Sequence, residues 1–345
     1  MINTLHKPKI GLLVPTLSPL AAYESRCVKN DDLMLFTPAS IHWSDEEISG
    51  LYWNGRSWLR QKTGFPDVVY NRLYDANKKL MNRLEALVGK HKCFNHRNRL
   101  NKWNVHQALV TSSMQPYLPE TIVYSHKELL PFLAKHQQII IKPRLGRLGV
   151  KIYRIDQTAK ALHVYHDSNY PLASFPNEKQ LLNYSRGKWQ ADSITQQYIP
   201  FMQIDDRIFD IRLIVQKGAD GKWVVTADMS RLALSYAFVT NICHQIIRAK
   251  QALDQTAKVP ANKLLAKLEK LAITTAQIID TRLGHFGELS VDFGVDRMGN
   301  PWIIEVNGKP DKNLLLEVDY QLYQAALCTP IAYAQYLGKK ESGSS

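Results

Sequence analysis

The sequence lacks any apolar run of 18 residues, so no helix is expected to span a membrane. Its opening stretch, MINTLHKPKIGLLVP, has an apolar segment too short for a secretory signal and broken by Pro15, so the expected location is cytoplasmic. Cysteine is scarce. Cys27, Cys93, Cys243 and Cys328 are scattered, with no C-x-x-C and no paired His, which argues against zinc and for reduced, mostly buried thiols. The eleven His residues show no metal-ligand spacing. No Ser-His-Asp or Cys-His arrangement is evident, so the chain shows no nucleophile of its own. No G-K-[ST] follows a glycine loop, which excludes a Walker A motif. Acids are outnumbered: 44 Lys and Arg against 31 Asp and Glu leave a net charge of +13, which favours anionic partners.

What is present suits a soluble globular protein. At 345 residues and 45% hydrophobic content, the chain can bury cores in two or three lobes. KIGLLVP (9–15), LMLFTP (33–38) and DVVYNRL (67–73) read as strands of a small α/β lobe. A helical pattern follows over 74–90, and NKWNVHQALV starts a second helix capped by Asn101. TIVY and QIIIKP read as strands about a helix over 126–136. Residues 156–190 are polar and are expected to be an irregular excursion. QQYIP, FDIRLIVQK and KWVVTADMSRLAL read as strands of an antiparallel sheet. A helix over 262–283 is expected from Leu264, Leu268, Leu271, Ala272, Ile279 and Leu283, with Gly284 as its stop. A hairpin, a last helix near 316–336 and a frayed tail complete the chain.

Three stretches carry candidate chemistry. In the hairpin ELSVDFGVDRMGNPWIIEVNGKP, a regular antiparallel register is expected to set Asp292 opposite Glu305, with Asn307 one strand repeat further on the same face. Opposed carboxylates repel and need a positive neighbour. A hard cation would supply it, since Mg²⁺ takes one or two carboxylates plus phosphate oxygens. Neutralisation by Lys309 or Arg297 on a solvated edge is the other reading. In QIIIKPRLGRLGV, Lys142 ends an apolar strand before a glycine turn that could cradle an anion or simply close a hairpin. In FDIRLIVQK, Asp210 and Arg212 share a face. Arg212 could be held by Asp210 or could present its fork to a phosphate, and Arg231 on the next strand could join it. The basic run over 78–102 is either a solvated face or a phosphate-facing surface. With sparse aromatic residues and no recognised motif, it gives little support to a nucleic-acid partner.

The order of these pieces resembles the ATP-grasp superfamily, and more narrowly the YheC/YheD-type endospore coat-associated proteins, over about residues 90–335. The resemblance implies an α+β fold in which two lobes clamp ATP, preceded by a small α/β lobe. The implied divisions are 1–90, 91–195 and 196–338, with a disordered tail at 339–345. It further implies that Lys102 and Lys142 contact ATP phosphates, and that Gly146 and Gly149 shape the closing loop. Gln196, Gln197, Tyr198 and Ile199 would form the hinge whose backbone reads the adenine, and Asp206 would serve the ribose. Arg212 and Arg231 would face the transferred phosphate, and Asp292, Glu305 and Asn307 would hold Mg²⁺. Many relatives carry an acid where this chain has Gln196-Gln197. The implied activity is an ATP- and Mg²⁺-dependent ligase joining a carboxylate to an amine, each a small molecule or a peptide. Arg72, at the end of DVVYNRL, is a candidate for the substrate carboxylate or a buried structural residue. The other implied role is an assembly protein of the spore coat that keeps the fold with weak or no catalysis.

Overall fold

The computed structural model describes residues 7–23, 33–75, 77–146, 149–256 and 260–339. Of the tail expected at 339–345, Lys339 still belongs to the helix Tyr320–Lys339, and 340–345 lie outside the described residues. Three sheets organise the chain. In the first, Ile10–Leu13 runs parallel to Leu33–Phe36 and to Val68–Asn71, which in turn pairs in parallel with Cys93–Phe94. These strands are buried on both faces, which is why they read as unbroken apolar runs. An antiparallel hairpin, Glu47–Trp53 with Trp58–Gly64, extends this sheet and has no counterpart among the strands expected above. Its turn is made by Gly55 at φ +89° and by the Asn54 side chain, which accepts from the Arg56 and Ser57 amides.

The second sheet is antiparallel, in the order Pro171–Phe175, Leu162–His166, Tyr153–Gln157, Gln138–Pro143, Ser193–Gln197, Thr121–Val123. The expectation of irregular chain over 156–190 is therefore corrected. Two strands and the helix Glu178–Ser185 lie there, the helix capped by Asn177 accepting from Gln180 N. Each piece is short and buries only a few side chains, Leu162, Val164 and Leu181 among them, so periodicity alone is weak.

The third sheet runs Cys243–Ile247, Trp223–Ala233, Arg207–Lys217, Glu288–Val295, Pro301–Asn307, all antiparallel. One face packs on the helices Lys102–Val110 and Ala261–Leu283. The longer helix buries Leu264, Leu268, Leu271, Ala272 and Ile279 as expected from its spacing. The helix Tyr320–Lys339 lies in a core shared by the first and third sheets, where Leu327 and Ile331 are buried with Ile10 and Leu12 as well as with Ile214 and Met229. Among the described residues no helix is long and apolar enough to cross a membrane.

The expectation of reduced thiols holds at Cys93 and Cys243, both free, and fails at Cys328, which is disulfide-bonded. Scattered spacing in the sequence does not reveal a bond that the fold closes.

Candidate functional site

A cleft between the second and third sheets encloses about 1020 Å³, counting the open space at its mouth. Its floor is a polar row across the third sheet. Strand alternation turns Asp210 and Arg212 to one face of Arg207–Lys217, and antiparallel register sets Arg231 beside Asp210 and Asp292 beside Arg212. Asp292 is in turn paired with Glu305.

That last pairing is real but not regular. Counting outward from the turn, Val295, Gly294 and Phe293 pair with Pro301, Trp302 and Ile303, so an unbroken ladder would set Asp292 against Ile304. A bulge between Asp292 and Phe293 takes Ile304 out of the count and brings Glu305 into register. The displaced Ile304 side chain lines the cleft.

The cations that compensate these acids are not the ones weighed from the sequence. Arg212 donates to Asp292 through Nε at 2.8 Å and Nη2 at 2.7 Å, a bidentate pair, rather than to Asp210. Arg231 takes Asp210, with Nε–Oδ1 at 3.0 Å, and also reaches Asp292 Oδ2 at 3.1 Å. Thr240 donates to Asp210 as well, at 2.5 Å. Neither Lys309 nor Arg297 neutralises the acid pair. Lys102 does so at Glu305, with Nζ 2.8 Å from Oε1. Burial on its own would raise the Asp292 pKa, but the Arg212 and Arg231 guanidinium groups hold it below the usual carboxylate range.

Lys102 opens its helix behind Asn101, which caps it by accepting from the Trp103 and Asn104 amides. Its ammonium also donates to Gly146 O at 3.3 Å, so one lysine links the glycine turn to Glu305. Lys142 ends its strand inside the cleft and is 6% exposed. Burial, with Lys102 nearby, pushes its ammonium down to about 8 against the opposing pull of Glu305. A lysine in that state gains its full charge when an anion arrives.

Gly146, Gly149, Gln196, Gln197, Tyr198 and Ile199 all line the cleft. Of the glycine turn, Arg147 and Leu148 lie outside the described residues. Gly149 sits at φ +70°, and a Cβ there would lie 1.9 Å from Asn241 Nδ2, so the turn closes against the loop over 234–242. In the hinge, the Gln197 and Tyr198 amides already donate to Glu120 O and Gln138 O. The Ile199 amide makes no hydrogen bond among the described residues. Asp206 is not brought to the cleft. It occupies the exposed turn before Arg207–Lys217, at φ +59°. Arg212 and Asn307 stand behind Asp292 rather than on the cleft wall, Asn307 Nδ2 lying 3.5 Å from Asp292 Oδ2.

Two features escaped the sequence. Arg154 lies over Tyr165, Tyr198 and Phe238, at 4.1, 5.3 and 5.2 Å, and pairs with Asp156, bracing two cleft-lining rings. Asn95, fully buried at φ +58°, accepts from the Gly287 and Glu288 amides. It donates to Glu288 O, Gly308 O and Asn98 Oδ1. Asn98 in turn donates to Asn71 O and Leu73 O. These asparagines bind the first sheet to the hairpin that carries the acids. The repeated Asn in FNHRN was the signal for them. Within the basic run, Lys92 is buried against Leu337 O, Arg83 lies 3.9 Å over Trp43, and Arg99 pairs with Asp75. Those charges have partners inside the fold.

The comparisons with known proteins agree with this geometry. A family model described as YheC/D like ATP-grasp matches residues 90–337. The chain belongs to that family. Endospore coat-associated protein YheD of Bacillus subtilis (strain 168) is 26% identical over 324 residues, covering 89% of this chain and 70% of its own length. YheC of the same organism is 23% identical over 323 residues, covering 89% and 88%. Among solved structures, N5-carboxyaminoimidazole synthetase from Staphylococcus aureus aligns with a TM-score of 0.55 at 11% identity, over 94% of this chain and 77% of that one. The ATP-grasp ligase PsnB complexed with a minimal precursor aligns with a TM-score of 0.54 at 13% identity, over 97% and 100%. The fold is thus the ATP-grasp fold of the YheC/D-like family.

Proposed function

We propose that this YheC/D-like protein is an ATP- and Mg²⁺-dependent carboxylate–amine ligase. The observation that carries the proposal is that Arg231, Asp210, Asp292 and Glu305 line one cleft with Lys102 and Lys142. Solved structures of the same fold bear the names of a synthetase and of ligases, and one synthetase was crystallised complexed with ADP. The donor set Asp292, Glu305 and Asn307 offers two carboxylates and a carboxamide oxygen, the hard oxygen ligands Mg²⁺ prefers. Mg²⁺ would neutralise charge on the phosphates.

In the reaction, a substrate carboxylate oxygen attacks the γ-phosphorus and ADP leaves, giving an acyl-phosphate. An amine then attacks the acyl carbon, phosphate leaves, and the amine loses a proton. Lys142 and Lys102 hold phosphate oxygens, Arg231 faces the transferred group, and Arg212 fixes Asp292. The Ile199 amide meets the adenine, and Gly146 and Gly149 let the turn close. The protein contributes orientation and charge rather than a covalent intermediate of its own. Residues 1–90, 91–195 and 196–338 are taken as the leading lobe and the two ATP-grasp lobes, and the cytoplasm as the place of action.

A second reading is an assembly protein associated with the spore coat. The names of the two relatives favour it, and so do the ion pairs that satisfy every acid in the row without a metal. Thermal melting with Mg²⁺ alone, ATP alone and both together separates the two. A ligand at ~100 times its Kd adds roughly 2.7 kcal/mol to stability. The ligase reading expects a shift that needs both and disappears in Glu305→Ala. No shift at millimolar nucleotide would leave the assembly reading standing.

A further inference from the structure

The strands Trp223–Ala233 and Cys243–Ile247 of the third sheet are joined by the connection over 234–242. It is longer than the about two to five residues an ordinary hairpin loop needs, and the proposed reaction leaves most of it without a role. The connection leaves its own sheet and seats on the turn over 166–170 of the second sheet. There Tyr236 O accepts from Asn169 N at 2.5 Å, Ala237 pairs antiparallel with Ser168, and the Tyr170 and Tyr236 rings lie 5.5 Å apart.

The seat is braced from beneath. Arg154 Nη1 donates to Asn169 Oδ1 at 2.6 Å, and the same guanidinium lies over Phe238 of the connection and Tyr198 of the hinge. Further along, Thr240 Oγ1 donates to Asp210 Oδ2 at 2.5 Å, which ties the connection to the acid that holds Arg231. Phe238, Val239, Thr240 and Asn241 line the cleft. The connection is therefore a strap drawn across the cleft from one sheet to the other. While it is seated, the two sheets are pinned together.

Little holds the strap down. Among the described residues one backbone hydrogen bond joins it to the second sheet. Leu234, Tyr236 and Ile242 are exposed, Ile242 at 71%, so the outer side of the strap buries little apolar surface. Tyr236 sits at φ +65°, a left-handed conformation that a bulky side chain rarely adopts. A segment with few buried contacts and a strained residue opens readily.

We infer that the strap over 234–242 is a gate on the cleft. Seated, it pins the two sheets together; released, it lets them part to admit and discharge the nucleotide. Thr240 is the latch, since it bonds the strap to the polar row on the cleft floor. The assignment to nucleotide rests on the ligase reading.

Ser168→Cys together with Ala237→Cys tests the gate. Paired residues of antiparallel chains have Cα atoms about 4.5–5.5 Å apart, within the about 4.4–6.8 Å a disulfide spans, so oxidation locks the strap on its seat. Association of Mg·ATP, timed by stopped flow, slows at least about tenfold on oxidation, and the unoxidised pair matches wild type. Wild type carried through the same oxidation is the control. A pair that does not cross-link overturns the seating. A cross-linked protein that takes up Mg·ATP as fast as the unoxidised one overturns the gate and leaves the ligase reading standing. Hydrogen exchange needs no nucleotide. Thr240→Val removes the latch, and the Asn169 amide on the opposite sheet then exchanges roughly tenfold faster, while the amides of Arg207–Lys217 keep their rates. Unchanged exchange at Asn169 overturns the latch. If no form of the protein takes up Mg·ATP but Asn169 responds to Thr240→Val, the gate remains and its assignment to nucleotide falls with the ligase reading.

Discussion

Binding of ATP should take up protons, and Lys142 sets how many. Burial pushes its ammonium down to about 8, with Lys102 adding to the effect and Glu305 opposing it. A phosphate oxygen beside it restores the charge, so the complex holds a proton that the free protein has partly lost. Near pH 8 about half a proton is taken up per ATP, near pH 9 about 0.9 and near pH 7 about 0.1. Above about pH 8 the affinity then falls by up to about tenfold per unit. His106, the neighbouring imidazole, does not contribute there, because burial and Lys142 hold it below its usual range. Calorimetry at about pH 8 in two buffers of different ionisation heat reads the uptake directly. A slope of zero in wild type, or one that survives in Lys142→Met, would refute the reasoning. The sign for folding runs the other way. A depressed lysine destabilises the native state by about 3 kcal/mol while both states are protonated, and the loss is recovered as pH rises from about 8 towards 10.5. Lys142→Met should therefore melt higher than wild type at neutral pH.

Asn95→Ala strands two backbone amides and three acceptors in a buried site and places Ala at a left-handed φ; a loss of about 3 kcal/mol or more is expected, read from a denaturant midpoint. Gly149→Ala drives a methyl into Asn241 at φ +70° and should destabilise by about 1 kcal/mol or more. Gly146→Ala meets nothing closer than Pro143 at 3.7 Å, and a change within about 0.5 kcal/mol is expected by the same melt.

The parts of the site legible in the sequence are those written in local pattern. Alternation placed Glu305 with Asn307 and Asp210 with Arg212, and helical spacing placed the buried face of Ala261–Leu283. What stayed illegible depends on contacts far apart in the chain. Lys102 finds Glu305 across 203 positions, and Arg212 finds Asp292 across 80, choosing it over the Asp210 beside it. Asn95 has no periodicity to announce it, since its bonds reach to Glu288 and Gly308. The elements between 162 and 185 are short, and each leans on the second sheet for its burial. The spacing of the cysteines gave no sign that Cys328 is disulfide-bonded.

The bulge beside Asp292 separates what the letters of the hairpin say from what the backbone presents. Delete one residue between Val295 and Ile304, and the string E-V-N would still be there for any reader of the text. The ladder would close without its spare residue, Ile304 would pair with Phe293, and Glu305 would still meet Asp292. Such a chain would keep both the string and the acid pair, and would differ in the wall beside them, where Ile304 now stands.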